Sequence, residues 1–274
     1  MAWDVAKADA IGGRTEQQDR VEVLSAQGRH LLVVADGLGG HRGGAAAAEA
    51  VVETARALWA EQARAPTPPA EFLGALVAEA HRRINALAPD GSETPHSTCA
   101  LLLLDERAAH WAHVGDSRVY HFRDHALVER SRDHSVVQLL VELGRVAEAD
   151  MATHPDQSRL TQSLGGGKTP EPTLGSAPVA PGDAYLLCSD GLWETVSTDD
   201  MALALAAGAL GTAARRLVAS AAERGGPSGD NVSAALARVA RRGRPGNRAL
   251  AWAIGLTALA AVLLAATLLW PMPA

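Results

Sequence analysis

VEVLSAQGRHLLVVADG, residues 21–37, holds two short apolar runs, VEVLS (21–25) and HLLVVAD (30–36), joined by AQGR. Short runs rich in Val and Leu, linked through a glycine, predict a β-hairpin. The second run stops at Asp36-Gly37, and a similar ending recurs three times. It appears as Gly115-Asp116 in AHVGDS, Asp190-Gly191 in YLLCSDG and Gly229-Asp230 in GGPSGDN. A single Asp-Gly pair between apolar runs reads as an ordinary turn. Four carboxylates at the ends of buried strands each carry a desolvation cost unless paired or bound to a cation. The adjoining glycines let backbone carbonyls approach as further oxygen donors. Oxygen ligation without cysteine or a dedicated histidine cluster suits magnesium or manganese rather than zinc.

Outward from this hairpin, the apolar pattern mixes strands and helices without a regular alternation. GGAAAAEAVVETARALWAEQA (43–63) is rich in helix formers, APTPP breaks the chain, and a second helix is expected over 70–87. After a loop at 88–96, strand-like runs follow at 97–105, 108–114, 117–122 and 125–130. A short helix is expected at 133–143, then a polar segment at 144–158 and a buried strand at 183–190. Helices at 202–207 and 212–223 and a strand at 231–239 close the body. Successive strands with short links, and helices grouped in pairs, predict an α+β fold of antiparallel sheets with helices outside.

The 274 residues carry 31 acidic side chains and 25 Lys plus Arg, a net charge of −6. Five arginines and no acid lie from Arg238 onward, so the first 237 residues hold 20 bases against 31 acids. An acidic body argues against nucleic-acid binding, which needs a basic face. With 47% hydrophobic residues the chain is not of a disordered type. Cys99 and Cys188 each sit in an apolar run, which favours core filling over a disulfide and excludes cysteine-rich zinc modules.

Residues 249–270, ALAWAIGLTALAAVLLAATLLW, follow the basic stretch RRGRPGNR and carry no charge. Twenty-two helical residues reach about 33 Å, enough for a hydrocarbon layer of about 30 Å. Trp252 and Trp270 lie near its two ends, where indole rings favour the membrane–water boundary. The expectation is a single-pass transmembrane helix at 249–270, a basic juxtamembrane linker at 241–248 and a body at 1–240. The positive-inside tendency places that body in the cytoplasm, on the inner (plasma) membrane. The competing reading is an apolar core helix that closes the domain. MAWDVAKADAIGGRTEQQD at the N-terminus holds no long apolar region, so no signal peptide is expected.

Upstream of the hairpin, GGRTEQQD sets Arg14 five residues before Asp19. A guanidinium can bind phosphate bidentately, while the carboxylate belongs with the cations. With this segment included, the chain resembles the metal-dependent serine/threonine protein phosphatases of type 2C. The resemblance rests on RTEQQD (14–19), VADGLGG (34–40), STCALLL (97–103), VGDSRVY (114–120), RDHS (132–135), LTQSLGG (160–166), CSDGLWE (188–194) and GDNVS (229–233). Each motif alone is weak; eight in order across residues 3–239 are specific. The resemblance implies a four-layer α-β-β-α sandwich whose two antiparallel sheets are flanked by helix pairs. It implies two Mg²⁺ or Mn²⁺ ions at one edge, with a third site in bacterial members.

Carried over by position, Asp36 bridges both metals, the Gly37 carbonyl binds one, and Asp190 and Asp230 complete the pair. Asp19 is a direct or water-mediated ligand, and Asp116 helps hold the third metal together with Asp190. Arg14 grips the substrate phosphate, and Asn231 supports its loop. The implied reaction is hydrolysis of phosphoserine or phosphothreonine in proteins, opposing a serine/threonine kinase, with Arg14, Asp36 and Asp190 as catalytic residues. Two dications about 3.5–4 Å apart acidify a water that attacks phosphorus in line. A cysteine phosphatase is excluded, because Arg is needed six residues after the nucleophile and Asp105 and Glu194 stand there.

Departures from the family pattern are Gln17 in place of its usual Asn, Gln18 in a slot where relatives carry Glu, and Leu38 where many members carry a proton-donating His. His41 reads as a polar residue at a helix start. His110 and His113, three apart on a strand, fall on opposite faces. GGGKT (165–169) mimics a nucleotide-binding loop, but Gln162 replaces the required Gly and Pro170 and Pro172 forbid the following helix. Residues 144–167 match the family's variable flap, a source of substrate selectivity. The rival from another class is a non-catalytic phosphoprotein-binding module on the same fold; the intact Asp36, Asp190 and Asp230 weigh against it.

Overall fold

The computed structural model describes residues 1–38, 43–88 and 93–240. The linker at 241–248, the apolar run at 249–270 and His41 lie outside the described residues. No helix among the described residues is long and apolar enough to cross a membrane.

Twelve strands and six α-helices follow one another along the described chain. They are β1 (Trp3–Ala10), β2 (Arg20–Ala26), β3 (Arg29–Ala35), β4 (Gly37–Leu38), α1 (Gly43–Arg64), α2 (Pro69–Asn85), β5 (His96–Ser97), β6 (Cys99–Leu104), β7 (Ala108–Val114) and β8 (Arg118–Arg123). Then come β9 (Ala126–Arg130), α3 (Val136–Glu142), β10 (Thr173–Pro178), β11 (Asp183–Cys188), α4 (Asp190–Trp193), α5 (Thr198–Ala206), α6 (Leu210–Gly225) and β12 (Val232–Val239). One five-stranded sheet runs β1-β12-β11-β8-β9 and a second runs β10-β7-β6-β3-β2, every pairing antiparallel.

The central strands read as unbroken apolar runs because both of their faces are covered. In β3, Leu31, Val33 and Ala35 face α1 and α2, while Leu32 and Val34 face the other sheet. In β11, Leu186 and Cys188 meet α5 and α6, while Tyr185 and Leu187 turn to the inter-sheet layer. Three apolar layers therefore separate helix pair, sheet, sheet and helix pair. Val51, Val52, Ala55 and Trp59 recur at helical spacing on α1 and meet Phe72, Leu73, Leu76 and Ile84 of α2. Truncating Leu76 to Ala in this layer costs about 2–5 kcal/mol.

The β2–β3 hairpin forms as expected, with Gln27 and Gly28 both at positive φ in the turn. Two strands had no clear signature. β1 is broken up by Asp4, Lys7 and Asp9, and edge strand β10 holds a glycine and a proline. The strand expected at 183–190 ends at Cys188, so Asp190 opens the single turn of α4. The helix expected at 202–207 begins at Thr198, because the Ser197 hydroxyl accepts the Asp200 N–H and caps it.

Candidate functional site

Five strand ends meet at one edge of the two sheets, and each delivers an aspartate. Asp19 precedes β2, Asp36 follows β3, Asp116 lies between β7 and β8, Asp190 follows β11 and Asp230 precedes β12. The backbone around Asp36 is pinned by the STC segment. The Asp36 N–H donates to Thr98 Oγ1 at 3.0 Å, and the Asp36 carbonyl accepts from Thr98 N–H at 2.8 Å and Ser97 Oγ at 2.9 Å. Thr98 Oγ1 lies 2.6 Å from Ser117 Oγ, and both side chains are fully buried.

Close backbone approach explains the glycines that follow Asp36 and Asp190. A Cβ on Gly37 would stand 2.0 Å from the Gly44 carbonyl oxygen at the start of α1. On Gly191 it would stand 2.2 Å from the Asn231 carbonyl oxygen, so the Asp190 and Asp230 loops are pressed together. Asn231 then ties in the N-terminal segment. Its Nδ2 donates to Ile11 O (2.8 Å) and Glu16 O (3.1 Å), and its Oδ1 accepts the Gln18 N–H at 2.8 Å. The expected supporting role for Asn231 matches these bonds.

The electrostatics of the site follow from crowding like charges where water is scarce. Desolvation, followed by the fields of Asp190 and Asp19, pushes the Asp36 carboxyl well above its usual range. Asp116 is raised well above the usual range by desolvation and then Asp190. Burial lifts Asp19 to about 7, against a lowering bond from Ser189 Oγ at 2.6 Å. Asp190 rises to about 6, chiefly by desolvation and then by Asp230. Both Asp190 and Asp230 accept the N–H of their following residue at 2.7 Å.

Arg14 brings a cation to this cluster, and its Nη2 donates to Asp230 Oδ2 at 2.6 Å. The side chain remains 55% exposed, so its guanidinium also faces solvent. Asp116 is held from below. Trp193 Nε1 donates to the Asp116 carbonyl at 3.0 Å, and the Arg118 guanidinium stacks 3.4 Å above the Trp193 ring. Arg118 is itself clamped by Asp133 through bonds of 2.8 and 2.6 Å. GDSR and RDHS, joined through the β8–β9 pair, and the more distant CSDGLWE are thus one construction.

Several participants were not singled out from sequence. Ser97, Thr98, Ser117 and Ser189 position the aspartates, and Glu194 adds another carboxyl to their field, raised to about 8 by desolvation and then Asp190. Glu194 lies four residues after Asp190 inside CSDGLWE, a spacing that could have flagged it. His110 and His113 do fall on opposite faces; His113 is buried and stacks on His134 at 4.7 Å.

Among the described residues, no group of three or more His, Cys, Asp or Glu side chains stands as a ready ligand set for an ion. The donor chemistry nevertheless fits a hard cation. Carboxylate oxygens and the Gly37 carbonyl dominate, and the raised acids favour whatever brings positive charge. Arg14 answers one carboxylate of the cluster.

Residues 9–240 match the family described as Protein phosphatase 2C. The serine/threonine protein phosphatase PstP of Mycobacterium tuberculosis is 34% identical over 240 residues, which are 85% of this chain and 44% of PstP. The chain thus spans less than half the length of that relative. A solved structure of the PstP catalytic domain, in complex with two manganese ions, superposes with a TM-score of 0.73 at 30% identity, covering 87% of this chain and 99% of that one. The serine/threonine phosphatase of S. agalactiae superposes with a TM-score of 0.76 at 30% identity, over 87% of this chain and all of its own.

Proposed function

The chain belongs to the protein phosphatase 2C family, and from that premise we propose that it hydrolyses phosphoserine and phosphothreonine in proteins, opposing a serine/threonine kinase. The observation that carries the reading is the meeting of aspartates from five strand ends in one desolvated field beside a half-exposed arginine. Asp36, the Gly37 carbonyl, Asp190 and Asp230 would hold two Mg²⁺ or Mn²⁺ ions, with Asp19 as a direct or water-mediated partner. Asp116 and Asp190 would serve a third. Bound there, the ions supply Lewis acidity that lowers the pKa of water and offsets phosphoryl charge.

The chain's own residues do the rest. Arg14 presents a planar fork to the phosphate oxygens and orients the ester. Thr98 and Ser97 fix the Asp36 backbone, so the strand end from which the Asp36 carboxylate projects is held in place. Leu38 offers no proton to the leaving oxygen. Manganese-dependent hydrolysis of a small aryl phosphate tests the reading. Activity should appear with manganese and fall by at least about a hundredfold in Asp36→Ala and Asp190→Ala. Absence of hydrolysis, or indifference to both substitutions, removes it and favours the non-catalytic module.

We also propose that residues 249–270 anchor the domain to the inner (plasma) membrane with the catalytic body cytoplasmic. Support comes from the uncharged 22-residue run and its basic flank. Carbonate extraction of membranes should leave the chain in the pellet; full release to the soluble fraction would return the run to the core-helix reading.

A further inference from the structure

The GGGKT stretch, unsuited to a nucleotide, has a different use in the fold. Ser97, whose hydroxyl holds the Asp36 carbonyl, pairs with Leu164 through bonds of 3.1 and 2.8 Å. The chain from Ser163 to Lys168 therefore starts at the active-site edge. Gly165 and Gly166 both sit at positive φ, and each is pinned. The Gly165 N–H donates to His81 Nδ1 at 3.0 Å, and Asn85 Nδ2 donates to the Gly166 carbonyl at 3.1 Å. His96, opposite Leu38 in the β4–β5 pair, joins Ser163 Oγ through its Nδ1 at 3.0 Å.

These pins wall a cavity of about 200 Å³ lined by His96, Gln162, Ser163, the three glycines and Lys168 among others, with no acidic residue. Lys168 is one of two lysines in the chain. It is exposed and enters no ion pair among the described residues. Its charge is thus unneutralised beside a small polar hollow. Ser163 and Gly165 of the hollow flank Leu164, which pairs with the Ser97 that bonds the Asp36 carbonyl, so at about 3.3 Å per extended residue a few residues of peptide reach from one to the other.

We infer that this cavity is a specificity subsite for an anionic group, carboxylate or phosphate, carried by the substrate polypeptide within about three residues of its phosphoresidue. The inference rests on the phosphatase reading and deepens it. Lys168 supplies the charge, and the pinned glycine backbone leaves room for the group. A substrate's acidic flank is selected here, away from the carboxylates that would repel it.

The test uses the full chain and phosphothreonine peptides in which one Glu, or one Gln, is walked across the three positions on each side. At one position Glu should lower KM relative to Gln by about two- to fivefold, the range for a partly exposed charge pair. Lys168→Gln should erase that Glu-over-Gln ratio, and Lys168→Glu should transfer the preference to a Lys-bearing peptide. Gly167→Asp should erase it too, because Gly167 lines the hollow next to Lys168 and a side chain there meets no neighbour, so a carboxylate at this position offsets the Lys168 charge. Aryl phosphate hydrolysis by each variant reports changes common to all substrates. Fluorescence anisotropy of the same labelled peptides in chelator reads the preference without turnover. Absent hydrolysis with a preserved Lys168-dependent ratio in binding would therefore sink only the catalytic reading. The subsite is overturned if no position favours Glu, or if Lys168→Gln weakens Glu and Gln peptides equally. It is also overturned if Lys168→Gln relieves inhibition by inorganic phosphate while the peptide preference persists, since the hollow would then take free phosphate.

Discussion

Replacing Thr98 by Val keeps the shape of the side chain and removes one oxygen. That oxygen accepts the Asp36 N–H at 3.0 Å and meets Ser117 Oγ at 2.6 Å, in a site with no solvent contact for Thr98 or Ser117. Two polar groups lose their partner at once, each at about 1–3 kcal/mol, and the added methyl recovers only a fraction. The expected loss is about 2–4 kcal/mol, which in a domain of this size lowers Tm by about 5–12 °C. Thr98→Ser is the matched control. It keeps the hydroxyl and forfeits the methyl packed beneath Gly115, for about 1 kcal/mol. Urea unfolding followed by tryptophan fluorescence, both variants in chelator, measures the difference. At saturating manganese, Thr98→Val should also lose at least about tenfold in kcat/KM, because Asp36 is no longer held. If Thr98→Val proves as stable as Thr98→Ser, the hydroxyl does not hold the strand end and the positioning argument fails.

Other expectations follow from the same edge. The acids of the cluster have raised folded pKa values, Asp19 at about 7 and Glu194 at about 8, so the fold keeps protons that the unfolded chain has released. Stability in chelator should therefore fall between about pH 7 and about pH 8.5, a window above the unfolded histidine titration, where the lowered His113 and His134 act in the opposite sense. Manganese should flatten that fall; thermal melts showing no decline in chelator would contradict the charged cluster. Arg14→Ala removes a charge-assisted contact and should raise KM for aryl phosphate by about ten- to a hundredfold with a smaller change in kcat; an unaltered KM removes its role in phosphate binding. Trp193→Phe deletes the bond to the Asp116 carbonyl while keeping an aromatic face for Arg118, and should raise the manganese concentration for half-maximal activity about fivefold. A manganese titration identical to the parent would show that Asp116 does not depend on this support.

Local chemistry was enough for much of the fold. Gln27-Gly28 between apolar runs specified the hairpin, and Pro66, Pro68 and Pro69 separated the two long helices. β1 escaped because its charged residues mask the alternation, and β10 because an edge strand tolerates the proline and glycine that usually disqualify one. At the site, the aspartates were legible because acids at strand ends are costly and stand out. Their supports were not, because Ser97, Thr98 and Ser189 are commonplace residues whose value lies in which backbone they meet. The Trp193–Arg118–Asp133 stack joins three motifs that no spacing rule connects.

The amino-acid sequence by itself determined the helices and all but the irregular strands, the acidic body with its oxygen-donor chemistry and, through eight ordered motifs, the family. Those properties reside in composition and near-neighbour pattern, which the chain carries before it folds. Only the tertiary structure decided that Arg14 pairs with Asp230 and that the glycines before Lys168 wall a cationic hollow beside His96. Each depends on segments tens to hundreds of residues apart meeting at one sheet edge, a proximity that no near-neighbour pattern records.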